Sequence, residues 1–124
     1  MSDMKYLGID YGRRKIGLAV SDGKLAEPLK VIRYKDLIVS IEQIKNVIKR
    51  EKIEKVVVGM SEGDMAEESK RFAKMLNAEM YDETLTSIDA ITLSIQGGVK
   101  RKKRREMEDA YAATIMLQNY LDSR

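Results

Sequence analysis

Met4–Asp22 reads MKYLGIDYGRRKIGLAVSD, two apolar, β-prone runs (Met4 to Tyr11 and Lys15 to Asp22) joined by a short basic link that starts at Gly12. A parallel pair of strands needs a crossover of a dozen or more residues. The two runs are therefore expected to pair as an antiparallel hairpin. Successive side chains alternate along a strand. Lys5, Leu7 and Ile9 then face one way, and Tyr6, Gly8 and Asp10 the other. If this strand is central, Asp10 stands near the carboxyl edge of the sheet, where ligand sites of α/β proteins collect. A buried carboxylate without a partner is costly, so a cation, a basic side chain or backbone amides should meet it.

Outward from this hairpin, Pro28 to Tyr34 is a third strand, with Leu29, Val31 and Arg33 alternating against Lys30 and Ile32 and Pro28 as its start. The period then becomes helical: Leu37, Ile38, Ile41, Ile44 and Ile48 recur from Asp36 to Lys52, with Asp36 as N-cap. Lys55 to Gly59 is apolar on both faces and suits a buried parallel strand. Asp64 to Asn77 is a second amphipathic helix with Met65, Phe72, Met75 and Leu76 inward, and Asp64 with Glu67 forms a capping-box-like start. Ala78 to Asp82 is a short strand, Thr86 to Gln96 a helix stopped by Gly97-Gly98, and Glu106 to Leu121 the last helix. The order β-β-β-α-β-α-β-α-α predicts an α/β fold: a mixed five-stranded sheet, an antiparallel meander followed by βαβ units, with helices on both faces. One domain spanning residues 1–124 accounts for the chain.

The residue inventory excludes several chemistries. The 124 residues are 44% hydrophobic and 35% charged, a composition that folds. There is no cysteine and no histidine. Disulfides, thiolate zinc sites and histidine-dependent triads are excluded. Any metal must be held by oxygen, which favours Mg²⁺ or Mn²⁺ over zinc. Gly8, Gly12 and Gly17 sit in a hairpin rather than a strand-to-helix turn, so the dinucleotide fingerprint fails. No signal-like start and no apolar stretch of about 20 residues is present, which predicts a cytoplasmic protein without a membrane partner.

Three acidic features stand out. Asp10 ends the first strand. Asp109 lies in the first turn of the last helix, with Ala112, Ala113 and Met116 on its face. Asp82-Glu83-Thr84 ends the fifth strand. Any one of these acids has an ordinary explanation. An acid near a helix N-terminus, such as Glu108 or Asp109, offsets the macrodipole by about 0.3–1 kcal/mol. Two strand ends and one helix start can nevertheless converge on one edge, and a carboxylate cluster there repels itself until divalent cations relieve it. Paired hard cations between carboxylates serve phosphodiester hydrolysis. Lys100, Arg101, Lys102, Lys103, Arg104 and Arg105 form an unbroken basic run, and Arg13, Arg14 and Lys15 a second cluster. Both are expected to hold phosphates of nucleic acid, giving affinity that weakens with salt.

At these residues the chain resembles a known family. Ile9-Asp10-Tyr11-Gly12, Ile16-Gly17-Leu18-Ala19-Val20-Ser21-Asp22, Ala26 and Pro28 resemble the opening of the YqgF/RuvX family, also called Holliday junction resolvase-like. Val56-Val57-Val58-Gly59 resembles its next strand, and Asp82-Glu83-x-Leu85-Thr86 its Asp-Glu-Arg-Leu-Ser/Thr motif. The basic run followed by Asp109, Ala112-Ala113, Ile115, Leu117 and Tyr120-Leu121 resembles its basic loop and terminal helix. The resemblance implies a ribonuclease H-like fold and a metal-dependent nuclease with Asp10, Glu83 and Asp109 as catalytic, metal-binding carboxylates. Family members are linked to maturing the 5′ end of the small-subunit ribosomal RNA precursor, pre-16S rRNA. The implied partner is structured RNA or branched DNA, and the chain a monomer or homodimer. The family's arginine after Asp-Glu is Thr84 here, and its Gly-Leu-Pro loop is Gly59-Met60-Ser61-Glu62-Gly63-Asp64, without proline. Glu62 and Asp64 are either additional acids near the site or a helix cap, the cap being favoured for Asp64. The rival readings are a four-way-junction DNA endonuclease, a non-catalytic nucleic-acid-binding relative, and a sugar-kinase or actin-like nucleotide binder.

Overall fold

The computed structural model describes residues 4–12, 14–60, 65–82 and 107–123. Its elements are β1 (Tyr6–Tyr11), β2 (Lys15–Ser21), β3 (Ala26–Arg33), α1 (Leu37–Glu51), β4 (Lys55–Met60), α2 (Met65–Met75), β5 (Glu79–Asp82) and α3 (Glu108–Asp122). The sheet runs β3-β2-β1-β4-β5. β1 is central, antiparallel to β2 and parallel to β4, and β4 is parallel to β5. The hairpin, the meander and the two crossovers follow the expected order. The helix expected at Thr86–Gln96 and the cap expected at Asp64 lie outside the described residues.

The alternation along β1 divides the core in two. Leu7, Ile9 and Tyr11, with Ile16 and Leu18 of β2, pack on Ile41, Ile44 and Val47 of α1 and on Phe72, Ala73 and Leu76 of α2. Tyr6, Ala19 and Val57 form the opposite layer with Ala113, Met116, Leu117, Tyr120 and Leu121 of α3. Helices thus cover both faces, and the Asp10 side of β1 belongs to α3. Asp36 caps α1 through its side chain, which accepts the Ile38 N–H at 2.8 Å.

Three expectations shift. β3 begins at Ala26, two residues before Pro28. A proline lacking its N–H is tolerated there because β3 is an edge strand. The phase of β3 is also reversed near its end. Leu18 pairs with Lys30 but Ala19 pairs with Pro28, so Leu29 is the extra residue of a β-bulge. Beyond it Ile32, not Val31, is the core residue, opposite Ile16. On the helices, Ile38 and Met75 are exposed, while Val47 and Ser69 occupy buried positions. Ile41, Ile44, Phe72 and Leu76 are buried as the sequence suggests, so each stripe keeps its centre and changes only at its margins.

Candidate active site

α3 reaches the sheet at glycines. A β-carbon on Gly8 would stand 2.8 Å from the Leu117 Cβ and 3.3 Å from the Ala113 carbonyl. A β-carbon on Gly17 would collide with the Asp109 carbonyl and come within 2.7 Å of the Ala110 amide nitrogen. Glycine in a strand commonly marks such close backbone approach. Here it lets the first turn of α3 rest directly on β2.

Asp10 is the residue paired with Gly17 across the β1–β2 ladder, and on its other side it is paired with Gly59 of β4. Adjacent strands are about 4.8 Å apart. The carboxylate of Asp10 therefore projects, on the α3 side of the sheet, between two positions with no side chain. Asp109 starts the helix whose backbone sits on the first of them. Two of the three expected acids are thereby brought to one place, and both are half-buried.

Glu83 follows Asp82, the last residue of β5, and lies outside the described residues, as do Thr84, Glu62, Asp64, Arg13 and the run Lys100, Arg101, Lys102, Lys103, Arg104 and Arg105. The row that holds Asp10 continues through Gly59 to Tyr81 of β5. Among the described residues no group of three potential metal ligands occurs. The donor chemistry present, carboxylate oxygen flanked by glycine with no histidine or cysteine in the chain, fits a hard divalent cation.

The hairpin that follows Asp10 is tightly held. A β-carbon on Gly12 would stand 2.7 Å from the Lys15 carbonyl oxygen. The Tyr34 hydroxyl donates to the Gly12 carbonyl at 2.6 Å, and the Tyr34 N–H donates to the Arg14 carbonyl at 3.1 Å. Burial, then the neighbouring Tyr11 side chain, pushes the Tyr34 hydroxyl well above the ordinary tyrosine range. Beside this hairpin lies a cleft of about 950 Å³ lined by Arg14, Lys15, Arg33, Tyr34 and Lys35. The sequence reading placed Arg14 and Lys15 in a phosphate-binding role but passed over Arg33, Tyr34 and Lys35. The signal was available in principle: the strand that runs out into Arg33-Tyr34-Lys35 returns, antiparallel, to the strand that Arg14-Lys15 leads into.

The far end of α3 is anchored at the opposite edge of the sheet. Tyr120 donates its hydroxyl to Glu79 at 2.5 Å, and Lys55 reaches the same carboxylate oxygen at 3.0 Å. The Tyr120 ring meets Tyr6 and Tyr81 edge to face, at 6.2 and 5.6 Å between centroids. Tyr120 and then Lys55 hold the Glu79 carboxyl below its ordinary range, while burial and then Glu79 raise the Tyr120 hydroxyl. α3 is thus pinned at Gly17 and at Glu79, which fixes the position of Asp109 along it.

Known proteins agree with this architecture. A family model described as "RuvX: Holliday junction resolvase" matches residues 4–123. A protein of Moorella thermoacetica named "Putative pre-16S rRNA nuclease" is 35% identical, over 96% of this chain and 95% of its own length. Proteins of the same name are 38% identical in Carboxydothermus hydrogenoformans, over 96% of each chain, and 37% identical in Chloroflexus aggregans, over 100% of this chain and 97% of that one. Among solved structures, T. thermophilus RuvC in complex with a Holliday junction substrate superposes with a TM-score of 0.61 at 19% identity, covering 97% of this chain and 96% of that one. Fowlpox virus resolvase with Holliday junction DNA gives 0.64 at 13% identity, covering 97% and 98%. These likenesses establish the ribonuclease H-like fold.

Proposed function

We propose that this chain, which belongs to the RuvX family, is a nuclease that hydrolyses phosphodiester bonds of RNA and processes the 5′ end of pre-16S ribosomal RNA. The observation that carries the reading is the convergence of Asp10 and Asp109 on the glycine row Gly17 and Gly59, at the carboxyl edge of the central strand. The names of the full-length relatives point the same way. In this reading Asp10, Glu83 and Asp109 are the catalytic carboxylates and hold Mg²⁺ or Mn²⁺. Such a cation supplies a Lewis acid and an activated water for attack on phosphorus.

The chain's own residues do the rest. Gly17 lets the first turn of α3, with Asp109, settle beside Asp10, and Gly59 adds no side chain on its other flank. The N-terminus of α3 directs its positive dipole end toward the same place, where it favours an anion. Arg13, Arg14, Lys15 and the run Lys100 to Arg105 hold backbone phosphates, which positions the strand without reading its sequence. The reading includes a cytoplasmic location, nucleic acid as the partner, a single domain and a monomer or homodimer. Among the described residues no helix is long and apolar enough to cross a membrane.

The test is cleavage of a labelled ribosomal RNA precursor fragment and of a synthetic four-way DNA junction, with Mg²⁺ or Mn²⁺, beside Asp10→Asn and an EDTA control. Metal-dependent cutting of the RNA that Asp10→Asn abolishes supports the processing nuclease. Cutting of the junction alone shifts the reading to a resolvase. Binding without cutting, unchanged in Asp10→Asn, leaves a non-catalytic nucleic-acid-binding relative.

A further inference from the structure

We infer that the end of β3 and the start of β2 form a phosphate-binding cleft, in which Arg33 and Lys35 join Arg14 and Lys15 to hold the nucleic-acid backbone beside Asp10. The inference rests on the nucleic-acid reading above and extends it to a strand end that no part of that reading assigned.

The β2–β3 register sets Lys15 directly opposite Arg33. Like charges facing one another across a ladder destabilise the pair, so the arrangement works against folding unless an anion sits over it. Ile16 and Ile32, the next pair inward, both belong to the layer under α1 and α2. Alternation therefore turns Lys15 and Arg33 to the opposite face, the one that carries Asp10, Gly17 and Asp109. Lys15 lies two residues from Gly17 along β2, a distance of about 7 Å. The two cations and the acidic site are neighbours on one surface.

The cleft itself shows what it would accept. Its described lining is four cations and one tyrosine, with no acid. Some basic residues elsewhere find partners, Lys5 and Arg50 with Glu51, Lys55 with Glu79, and Lys70 with Glu67. Among the described residues, none of the four cleft cations makes an ion pair. Tyr34 already donates its hydroxyl to Gly12, so it serves as a fixed wall that holds the two strand ends together. A single small anion would leave most of this charge unmatched. A chain of regularly spaced phosphates running past Asp10 would match it.

The experiment measures equilibrium binding of a short labelled single-stranded RNA, in EDTA to prevent cleavage, across a range of salt concentrations. Arg33→Gln/Lys35→Gln is compared with wild type and with Lys45→Gln/Lys49→Gln, which removes the same charge from the exposed side of α1 on the other face. Loss of two phosphate contacts should lower the slope of log K against log salt by about 1.4 and weaken binding roughly 10- to 30-fold at 0.1 M salt. The control pair should leave the slope unchanged. A four-way DNA junction titrated in parallel shows whether the cleft serves RNA, DNA or both. Wild-type binding with the Arg33/Lys35 variant indistinguishable from the control overturns the cleft and leaves the nuclease reading standing. No binding of either nucleic acid by wild type overturns both. Unfolding midpoints of the three proteins confirm that the comparison is between folded molecules.

Discussion

The backbone carbonyl of Asp109 occupies the place where a side chain on Gly17 would have to begin. Gly17 is also the ladder partner of Asp10. One glycine thus sets the spacing between two acids that lie far apart in the chain, and it does so by having nothing there. Replacing Gly17 with alanine forces the first turn of α3 off the sheet, because the colliding atoms are backbone and cannot rotate away. The expected cost is about 3 kcal/mol, the upper part of the range for overpacking, read as a lower denaturant midpoint at unchanged m-value. Gly8→Ala, which meets mainly the Leu117 side chain, should cost less, about 1–2 kcal/mol. Equal effects at the two positions would show that α3 is not held by its first turn.

Much of this was legible in the sequence, for identifiable reasons. A three-residue link between two β-prone runs leaves only a hairpin, and that constraint fixed the antiparallel half of the sheet. Period-two reading placed Asp10 on the face opposite Leu7 and Ile9, where it is found. The small residues Ala112 and Ala113 pointed to a closely packed terminal helix. Gly17 was read only as a candidate loop glycine, because its role appears when a helix 92 positions away is laid upon it. The phase of β3 was misread because a bulge at Leu29 inserts one residue, and a one-residue slip exchanges the two faces. That slip also hid Arg33, which the true phase turns toward the acidic site. Arg33 and Lys35 carry no local signature; only the register makes them neighbours of Arg14 and Lys15.

If Asp10 and Asp109 are metal ligands, a divalent cation should stabilise the fold. At a concentration of Mg²⁺ or Mn²⁺ about a hundred times its dissociation constant, linkage gives about 2.7 kcal/mol. Asp10→Asn and Asp109→Asn should each abolish that thermal shift and lower metal-dependent cleavage by at least roughly a hundredfold. A full metal-induced shift in Asp109→Asn would remove Asp109 from the ligand set.

α1 offers a prediction independent of function. Its C-terminal end closes with Lys52 in the left-handed region at φ 56°, where the Ile53 N–H donates to the Ile48 carbonyl at 2.9 Å. A side chain in that conformation costs roughly 1–2 kcal/mol, partly offset by the greater freedom of glycine in the unfolded chain. Lys52→Gly should raise stability by about 0.5–1 kcal/mol in chemical unfolding. Lys49 and Arg50 remain to complement the helix dipole. Asn77→Gly, at φ 53°, should gain less, because asparagine tolerates this conformation better than lysine.

The Tyr120–Glu79 hydrogen bond predicts an acid-sensitive anchor for α3. Glu79 is held below its ordinary pKa by Tyr120 first and Lys55 second. A depressed carboxyl contributes stability that is present above the unfolded pKa, about 4.3 for glutamate, and lost as pH falls through the folded value. Tyr120→Phe keeps the ring contacts with Tyr6 and Tyr81 but removes the donor. It should cost about 1 kcal/mol at neutral pH, the low end for a bond to a charged group, since half of the Glu79 side chain faces water. The gap between wild type and Tyr120→Phe should narrow below pH 4, as the carboxylate gains its proton in both. A gap constant down to pH 2 would mean that the charge on Glu79 takes no part in the anchor.

Tyr34 gives the opposite limb. Burial, and then Tyr11, raise its hydroxyl above the ordinary value of about 10. For a group whose folded pKa is raised, the stabilisation is complete below the unfolded pKa and disappears as pH climbs through the folded one. Wild type should therefore lose stability above pH 10, as unfolding releases a proton that the folded hydroxyl retains. Tyr34→Phe lacks that proton and the bond to the Gly12 carbonyl. It should be about 1 kcal/mol less stable at neutral pH, with a flatter alkaline limb in unfolding measured from pH 8 to 12. Because the lost bond holds the hairpin that follows Asp10, cleavage should fall more than the stability change alone explains, with kcat affected and the salt slope of RNA binding preserved. A variant with wild-type cleavage and a lowered salt slope would instead make the Tyr34 hydroxyl a phosphate contact, and the Gly12 bond incidental.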